Sequence, residues 1–293
     1  MSWRRFKDAL GGQTMRLAVI FANSLAFLIA LGLYIKSRPI FAQKTLTHLL
    51  FSSNWHPMQG DFGFYPYIIG TVEVTVIAMI MSVPVCLSSA IYLSEYARTR
   101  LREGMRLVID VMAGIPSVIY GLFGVLVVVP LVRWIGESLG QTTTGYTLLA
   151  GGIILAIMVV PIIISVATEV LRAVPFSARE TAMALGATKW ESVKYVVLKS
   201  GMHGILSAIV LGFARAFGET IAVMMVVGNV ARVPHSLFDP AYPLPALIAN
   251  NYGEVMSIPL YDSALMLAAL ILLVVVGGFN LGAHLILLRL ENR

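Results

Sequence analysis

The sequence predicts an all-α, polytopic membrane protein whose single domain of 293 residues crosses the membrane six times. Two features of its composition support this fold class. Apolar residues make up 58% of the chain and charged residues only 12%, whereas soluble domains average about 25% charged residues. One aqueous core cannot bury so much apolar surface, so lipid must cover the rest. The composition therefore excludes a soluble enzyme and a disordered chain.

The six spans are apolar runs of roughly 20 residues, the length that crosses about 30 Å of hydrocarbon. The predicted spans are residues 17–35, 74–93, 111–131, 148–167, 205–227 and 263–288. The first run lacks a small-residue cleavage site, which favours an uncleaved anchor over a signal peptide. Glu73 and Asp110 precede the second and third runs, so both are expected at membrane boundaries.

Lysine and arginine residues in the connections predict the orientation. With the N-terminus inside, fifteen of the 21 basic residues face the inner side. Cytoplasmic connections carry such an excess, so both termini are expected in the cytoplasm. The basic residues lie between apolar runs and do not cluster on an aqueous surface, so no nucleic-acid partner is expected. The lone Cys86 and the spacing of the histidines predict no metal site.

Three prolines, Pro84, Pro116 and Pro161, lie within predicted spans. Proline has no backbone N–H, so each would free the carbonyl four residues earlier and kink its helix. Two interpretations stay open for each proline, namely packing alone or a hinge beside a cavity. Pro116 is the strongest hinge candidate, because the adjacent Ser117 could satisfy the freed carbonyl.

The longest inner connection, residues 169–200, has the pattern of two short helices. Ser177–Glu180 reads as a capping box with Ser177 as N-cap, and Gly186 is expected to end that helix. Thr188–Glu191 reads as a second capping box. The apolar side chains presented on the inner side are Met183, Leu185 and Trp190. Such a segment could dock into a groove on a partner protein or lie on the lipid headgroups.

The stretch from Glu180 through Ala182 to Gly186 resembles the EAA signature of permease subunits of ATP-binding-cassette importers. Two positions depart from the signature, because Thr181 replaces the first alanine and Lys199 stands where proline is usual. The resemblance implies that residues 169–200 form a coupling segment, which fits a groove in an ATPase subunit. The residues implied to organise this contact are Glu180, Ala182, Gly186 and Trp190.

The chain itself carries no phosphate-cradling motif. It contains no Gly-Lys dipeptide and therefore no Walker A loop. The expectation is a transporter subunit that is not an enzyme and holds no cofactor of its own. ATP and magnesium would bind to partner ATPase subunits.

Arg215 and Glu219 lie four residues apart in the fifth predicted span and are expected on one helix face. Charges at that depth are costly unless they are paired or face water. The rest of the face is small, with Gly212, Ala216 and Ala222, which favours a translocation pathway over lipid. The alternative is that the two charges merely neutralise each other. A guanidinium suits tetrahedral oxyanions, whereas Glu219 would hold Arg215 in place or pair with a partner helix.

Two further stretches, residues 113–124 and 212–229, resemble matching motifs of phosphate importer permeases. Gly218-Glu219-Thr220 is followed by an aliphatic run and Gly228-Asn229, as in the C-type of the two homologous membrane subunits. The resemblance extends from about Gly70 to the C-terminus. It implies the type I (MetI-like) importer permease fold, with Arg215, Glu219, Ser117 and Thr220 in the translocation pathway.

The implied function is ATP-driven import of inorganic phosphate across the cytoplasmic membrane. The implied partners are a second, A-type permease subunit, two ATP-binding-cassette subunits, an extracytoplasmic phosphate-binding protein and membrane lipid. Three alternatives stay open: a permease for sulfate or molybdate, a proton-coupled secondary transporter with Glu219 as the carrier, and a non-transporting scaffold. A short helix near residues 245–250 is expected in the long outer loop.

Overall fold

The structure is a computed structural model that describes residues 3–253, 258 and 260–291. Most of these residues are helical. The helices are α1 Trp3–Phe41, α2 Leu46–Phe51, α3 Tyr65–Ile91, α4 Thr99–Gly114, α5 Ser117–Phe123, α6 Val129–Ser138, α7 Leu148–Ala173, α8 Phe176–Ala184, α9 Lys189–Ser192, α10 Leu198–Phe217, α11 Ile221–Met224, α12 Leu244–Asn251 and α13 Tyr261–Glu291.

Short π-helical turns extend three of these helices. They are Tyr92–Tyr96 after α3, Gly124–Val128 between α5 and α6, and Val193–Val197 between α9 and α10. A small antiparallel hairpin, β1 Trp55–His56 and β2 Asp61–Phe62, lies between α2 and α3.

Six helical stretches of the described chain are long and apolar enough to cross a membrane, as predicted. They are Leu10–Phe41, Tyr65–Tyr96, Ser117–Ser138, Leu148–Ala173, Lys189–Phe217 and Tyr261–Leu285. The stretches overlap the six predicted spans, and two of them, Leu10–Phe41 and Tyr65–Tyr96, exceed the predicted runs at both ends. Glu73 lies two turns inside α3, and its expected place at a membrane boundary stays a prediction.

The third predicted span, residues 111–131, is wrong as one continuous helix. The chain leaves the helical conformation at Ile115 (ψ 126°) and Pro116 (ψ 143°), between α4 and α5. A residue before proline is disfavoured in the helical region, which explains the break. Pro116 therefore lies between two helices and not inside one. The Met112 carbonyl accepts hydrogen bonds from the Ile115 N–H (3.3 Å) and the Tyr120 hydroxyl (2.8 Å).

The fifth predicted span, residues 205–227, is wrong at both ends. The helical stretch begins at Lys189 and stops at Phe217, and a non-helical step then leads into α11. Gly218 supports the stop because glycine is among the poorest helix formers. The Glu219 carboxylate accepts a hydrogen bond from the Ala222 N–H (3.3 Å) and so satisfies a free donor at the start of α11.

Helix α7 lies at the centre of the bundle, against α3 and α10. Glycines permit these close approaches: a Cβ at Gly152 would stand 2.5 Å from the Ile77 side chain, and a Cβ at Gly212 would stand 2.7 Å from that of Ile163. The Cys86 thiol approaches the Val160 carbonyl (3.8 Å). Because Ile77 contacts Gly152 nearer the start of both helices, α3 runs parallel to α7. Small residues at helix contacts are typical of membrane bundles.

The two ends of the bundle differ. The basic end carries the connections 92–98 and 174–188, whereas the far end carries 139–147 and 225–243. At the far end, α12 confirms the short helix expected near residues 245–250. The Thr71 hydroxyl accepts a hydrogen bond from the Leu244 N–H (2.8 Å) and so fastens this long connection to α3.

Candidate functional site

A two-helix segment, residues 174–192, projects from the basic end. Pro175 stands at the entry to α8 with φ −58° and ψ 138°, and the helix begins at Phe176. The expectation that Ser177 is the N-cap is therefore wrong. Ser177 already lies in the first turn, and α8 has no side-chain cap. Pro175 takes the N-cap position, so the helix begins two residues earlier than a cap at Ser177 would allow.

The turn of the two-helix segment confirms the remaining local predictions. Gly186 has φ +89° and ends α8, with the Gly186 and Ala187 N–H groups bonded to the carbonyls of Met183 (3.0 Å) and Ala182 (3.1 Å). This pair of backbone hydrogen bonds is typical of helices that end in a left-handed glycine. The second capping box is present as well: the Thr188 hydroxyl accepts from the Glu191 N–H (3.3 Å), while the Glu191 carboxylate accepts from the Thr188 N–H (2.8 Å).

Exposed apolar side chains cover the two-helix segment. Leu185 is 84% exposed, Phe176 67% and Trp190 53%. Glu180 is also exposed, while Ala182 is partly covered. Several large apolar side chains exposed on one short segment are typical of an interaction site. The structure thus brings the four coupling residues predicted from sequence into one projecting element.

A buried ion pair anchors this element to the bundle. The Arg179 guanidinium binds both carboxylate oxygens of Glu95 (2.7 and 3.1 Å). Arg179 also donates to the backbone carbonyls of Leu171 (2.8 Å) and Val174 at the end of α7. One side chain therefore joins α8 to the ends of both α3 and α7. Sequence reasoning missed this pair, although a glutamate closing the apolar run of α3 is a signal that could have indicated it.

Arg215 lies in the last turn of α10 and opens onto a cleft of about 430 Å³, the Arg215 cleft. Three other lining residues matter for its chemistry, namely Asp110, Pro161 and Ser165. Arg215 is exposed and makes no hydrogen bond or ion pair with any residue that the structure describes. A guanidinium in this state can receive an anion.

The expectation that Arg215 and Glu219 lie on one helix face is wrong. Helix α10 ends at Phe217, so Glu219 lies beyond it, where its carboxylate caps α11. Thr220 is the residue that precedes α11, and it is partly covered. Residues four positions apart lie on one face only within a continuous helix. Since the helix ends between Arg215 and Glu219, their spacing does not place them on one face.

The helix break lies near the middle of the bundle. Gly212 packs on Ile163 before the break, and Val223 approaches Gly151 after it. The break therefore faces the part of α7 between these two positions. Non-helical backbone at membrane depth occurs only where it is buried in protein or lines a cavity. This arrangement indicates a functional region.

The remaining predicted site residues divide between two places. Pro161 is buried in α7 and lines the Arg215 cleft, whereas Ser117 does not line it. Ser117 begins α5, which packs on α11 through Gly121. The freed Met112 carbonyl is bound by Tyr120, so the role expected for Ser117 there is wrong. Pro84 is exposed within α3.

A metal ion has no evident place in this arrangement. The described ranges contain no group of three histidine, cysteine, aspartate or glutamate side chains that could hold one. An exposed guanidinium such as that of Arg215, beside a helix break, is able to bind an anion reversibly.

Sequence comparison identifies relatives over most of the chain. The family model described as "Binding-protein-dependent transport system inner membrane component" matches residues 82–291. The phosphate transport system permease protein PstC of Pasteurella multocida is 33% identical over 301 residues, covering 98% of this chain and 93% of that protein. The PstC protein of Xylella fastidiosa strain 9a5c is 37% identical over 258 residues, with 83% and 79% covered. The probable ABC transporter permease protein YqgH of Bacillus subtilis is 35% identical over 260 residues, with 87% and 82% covered.

Solved structures share the fold at low sequence identity. An inward-facing MetNI methionine ABC transporter structure superposes with a TM-score of 0.59 at 17% identity, covering 81% of this chain and 99% of that chain. A bacterial ABC transporter that imports the polysaccharide alginate gives 0.58 at 16% identity, with 97% and 99% covered. These matches support the predicted MetI-like permease fold. The chain therefore belongs to the family of binding-protein-dependent transport system inner membrane components, the permeases of ABC transporters.

Proposed function

We propose that this chain is the C-type membrane subunit of an ATP-driven importer that moves inorganic phosphate across the cytoplasmic membrane. The observation that carries the proposal is the unpaired Arg215 guanidinium, which opens onto a cleft beside a helix break. A planar fork of donors matches the oxygens of a tetrahedral anion. The PstC names of several relatives support phosphate as that anion.

The assembly that we propose contains a second, homologous permease, two ATP-binding-cassette subunits and an extracytoplasmic phosphate-binding protein. The exposed apolar side chains of the two-helix segment support docking on an ATPase subunit, as an apolar helix enters a groove. ATP and magnesium bind to those partners, since this sequence has no Gly-Lys dipeptide.

In this proposal the basic end of the bundle faces the cytoplasm, and so do both termini. The excess of lysine and arginine in the connections on that side supports the orientation. The far end then faces outward, where the binding protein delivers its ligand.

Transport follows from movement of the two-helix segment. When the ATPase subunits close, they displace α8, and the Arg179–Glu95 pair carries that displacement to the ends of α3 and α7. The helices that frame the Arg215 cleft thereby shift together. Arg215 stabilises the anion while it is cut off from bulk water, which lowers the cost of placing charge inside the membrane.

The proposal is tested in proteoliposomes that contain the complete importer and the phosphate-loaded binding protein. Arg215→Ala is expected to abolish phosphate uptake while the complex still assembles. Arg16→Ala, which removes an exposed charge from α1, is the matched control and keeps normal uptake. Normal uptake by the Arg215 variant would refute the assignment.

The same preparation separates the alternatives. If the binding protein stimulates ATP hydrolysis when loaded with sulfate or molybdate but not with phosphate, that oxyanion is the substrate. Uptake by this chain alone, driven by a pH gradient, would identify a secondary transporter with Glu219 as the proton carrier.

A further inference from the structure

Residues that line cavities follow one face of the second half of α7. Pro161, Ser165, Thr168 and Arg172 are spaced by four, three and four residues, which places them on a single helix face. Helix α4 packs along this face of α7, and three cavities lie there in sequence.

The cavities are adjacent, because consecutive ones share lining residues. The Arg215 cleft, of about 430 Å³, shares Asp110 and Ser165 with a narrow middle cavity of about 60 Å³. The middle cavity shares Arg172 with a third cavity of about 490 Å³, which lies beside the two-helix segment and is also lined by Lys189. The series thus leads from the middle of the bundle to its basic end.

The charges along this series favour an anion. Arg172 is exposed and makes no hydrogen bond or ion pair within the described part of the chain. Arg106 contacts Asp110 only at 4.0 Å, with both side chains largely exposed. Lys189 lies 4.5 Å over the ring of Tyr96.

Other charged groups on this path are already engaged or are acidic. Arg102 donates to the backbone carbonyls at the end of α3, and the Arg179–Glu95 pair is internally neutral. Asp110 and Glu169 are the remaining acids that line the series. Arg215, Arg106, Arg172 and Lys189 therefore outnumber these two acids.

A buried hydroxyl marks the narrow middle cavity. The Thr168 Oγ1 atom is buried and has no hydrogen-bond partner, although buried polar atoms are nearly always paired. A cavity of about 60 Å³ has room for about two water molecules at about 30 Å³ each. A hydrated or oxygen-rich ligand in this cavity would supply the missing partner.

We propose that the groove between α4 and α7 is the exit half of the translocation route, along which a tetrahedral oxyanion passes from Arg215 to Arg172. This inference rests on the proposed transport of an anion past Arg215. Arg106 and the hydroxyls of Ser165 and Thr168 receive the anion between these two arginines. The narrow middle cavity is the point at which the route closes when α4 approaches α7.

Cysteine accessibility tests the route without assuming the substrate. In the assembled importer, with the single native thiol removed by Cys86→Ser, Ser165→Cys and Thr168→Cys are treated with an anionic, membrane-impermeant methanethiosulfonate in inverted vesicles. Both are expected to react, and added phosphate is expected to slow the reaction. Ser88→Cys is the matched control, since Ser88 is exposed on α3 and lines none of the three cavities.

The control stands at a similar depth, because Cys86 approaches Val160 and Ala90 shares a core cluster with Ala167. The proposed route would be refuted if the cysteines at positions 165 and 168 react no faster than the cysteine at position 88. Reaction without protection by phosphate would leave the route standing and count against phosphate as its cargo.

A charge series tests the role of Arg172. Arg172→Gln is expected to lower phosphate uptake by about tenfold, the loss expected for one charge-assisted hydrogen bond, with unchanged co-purification of the ATPase subunits. Arg172→Lys is expected to restore most of the uptake. Arg100→Gln removes an exposed charge of α4 that lines none of the cavities and should match the wild type. Uptake by Arg172→Gln equal to that of Arg100→Gln would contradict the proposal.

Discussion

The guanidinium of Arg179 donates two hydrogen bonds, of 2.7 and 3.1 Å, to the carboxylate of Glu95, although the two residues are 84 positions apart in the sequence. Their side chains are only 13% and 7% exposed. This pair is the polar link between the projecting α8 and the end of α3. A bidentate pair fixes orientation as well as distance, so it holds α8 in a defined orientation against the end of α3.

Glu95→Gln should leave the Arg179 charge buried without its partner. The expected cost is about 3–5 kcal/mol, the range for breaking one side of a buried pair. The measurement is thermal unfolding of the purified importer, together with phosphate-dependent ATP hydrolysis. Glu103→Gln, which removes an exposed carboxylate on α4, should change neither. Equal unfolding temperatures for the two variants would show that the pair is not an anchor.

Gly186→Val should weaken the contact with the ATPase subunits by straining the turn. Gly186 has φ +89°, a conformation that β-branched residues adopt at a cost of about 1–3 kcal/mol, while its surroundings offer open space. Co-purification of the ATPase subunits measures the effect. Gly186→Asn should be milder, because asparagine tolerates this conformation. Gly140→Val imposes similar strain at the far end (φ +74°) and should leave co-purification intact.

Leu185→Ser should reduce docking without reducing stability. Leu185 is 84% exposed, so the isolated bundle gains little from it. Burial of a leucine in a groove contributes about 1.5–3 kcal/mol, so the affinity for the ATPase subunits should fall at least about tenfold. Titration of the permease with purified ATPase subunits gives this number. Met58→Ser, equally exposed at the far end, is the control, and an equal loss in both variants would argue against a docking surface.

Tyr120→Phe should loosen the break between α4 and α5. The variant removes the hydroxyl that donates to the Met112 carbonyl at 2.8 Å. The expected loss is about 0.5–1.5 kcal/mol in unfolding free energy, with faster hydrogen exchange at the end of α4. Tyr34→Phe removes an exposed hydroxyl from α1 and should leave both quantities unchanged. Identical exchange in the two variants would mean that the hydroxyl does not hold the break.

Local signals explain what could be predicted from the sequence. The capping box at Thr188 and the helix end at Gly186 depend on contacts within a few residues, so their residues are sufficient to predict them. The six spans depend on apolar length alone. The N-cap at Ser177 failed because Pro175 already directs the entry of α8.

Apolar composition could not locate the two breaks within the spans. Residues 111–131 carry no charge and residues 205–227 carry only Arg215 and Glu219, whereas the helices stop at Gly114 and Phe217. Hydropathy describes side chains only. A helix break also requires groups that can form hydrogen bonds with the backbone N–H and C=O groups left without a helical partner. Tyr120 supplies that group in one case and Glu219 in the other.

The sequence by itself determined the membrane class, the number of spans and the two-helix segment. It also identified Arg215 as a charged residue within a predicted span. Only the tertiary structure decided that Glu219 leaves the face of Arg215, that Asp110 and Ser165 join it in one cleft, and that Glu95 holds Arg179. The physical reason is range. Lipid burial and helix capping act through neighbours in the chain, whereas the pairing of charges inside a bundle depends on which helices pack together.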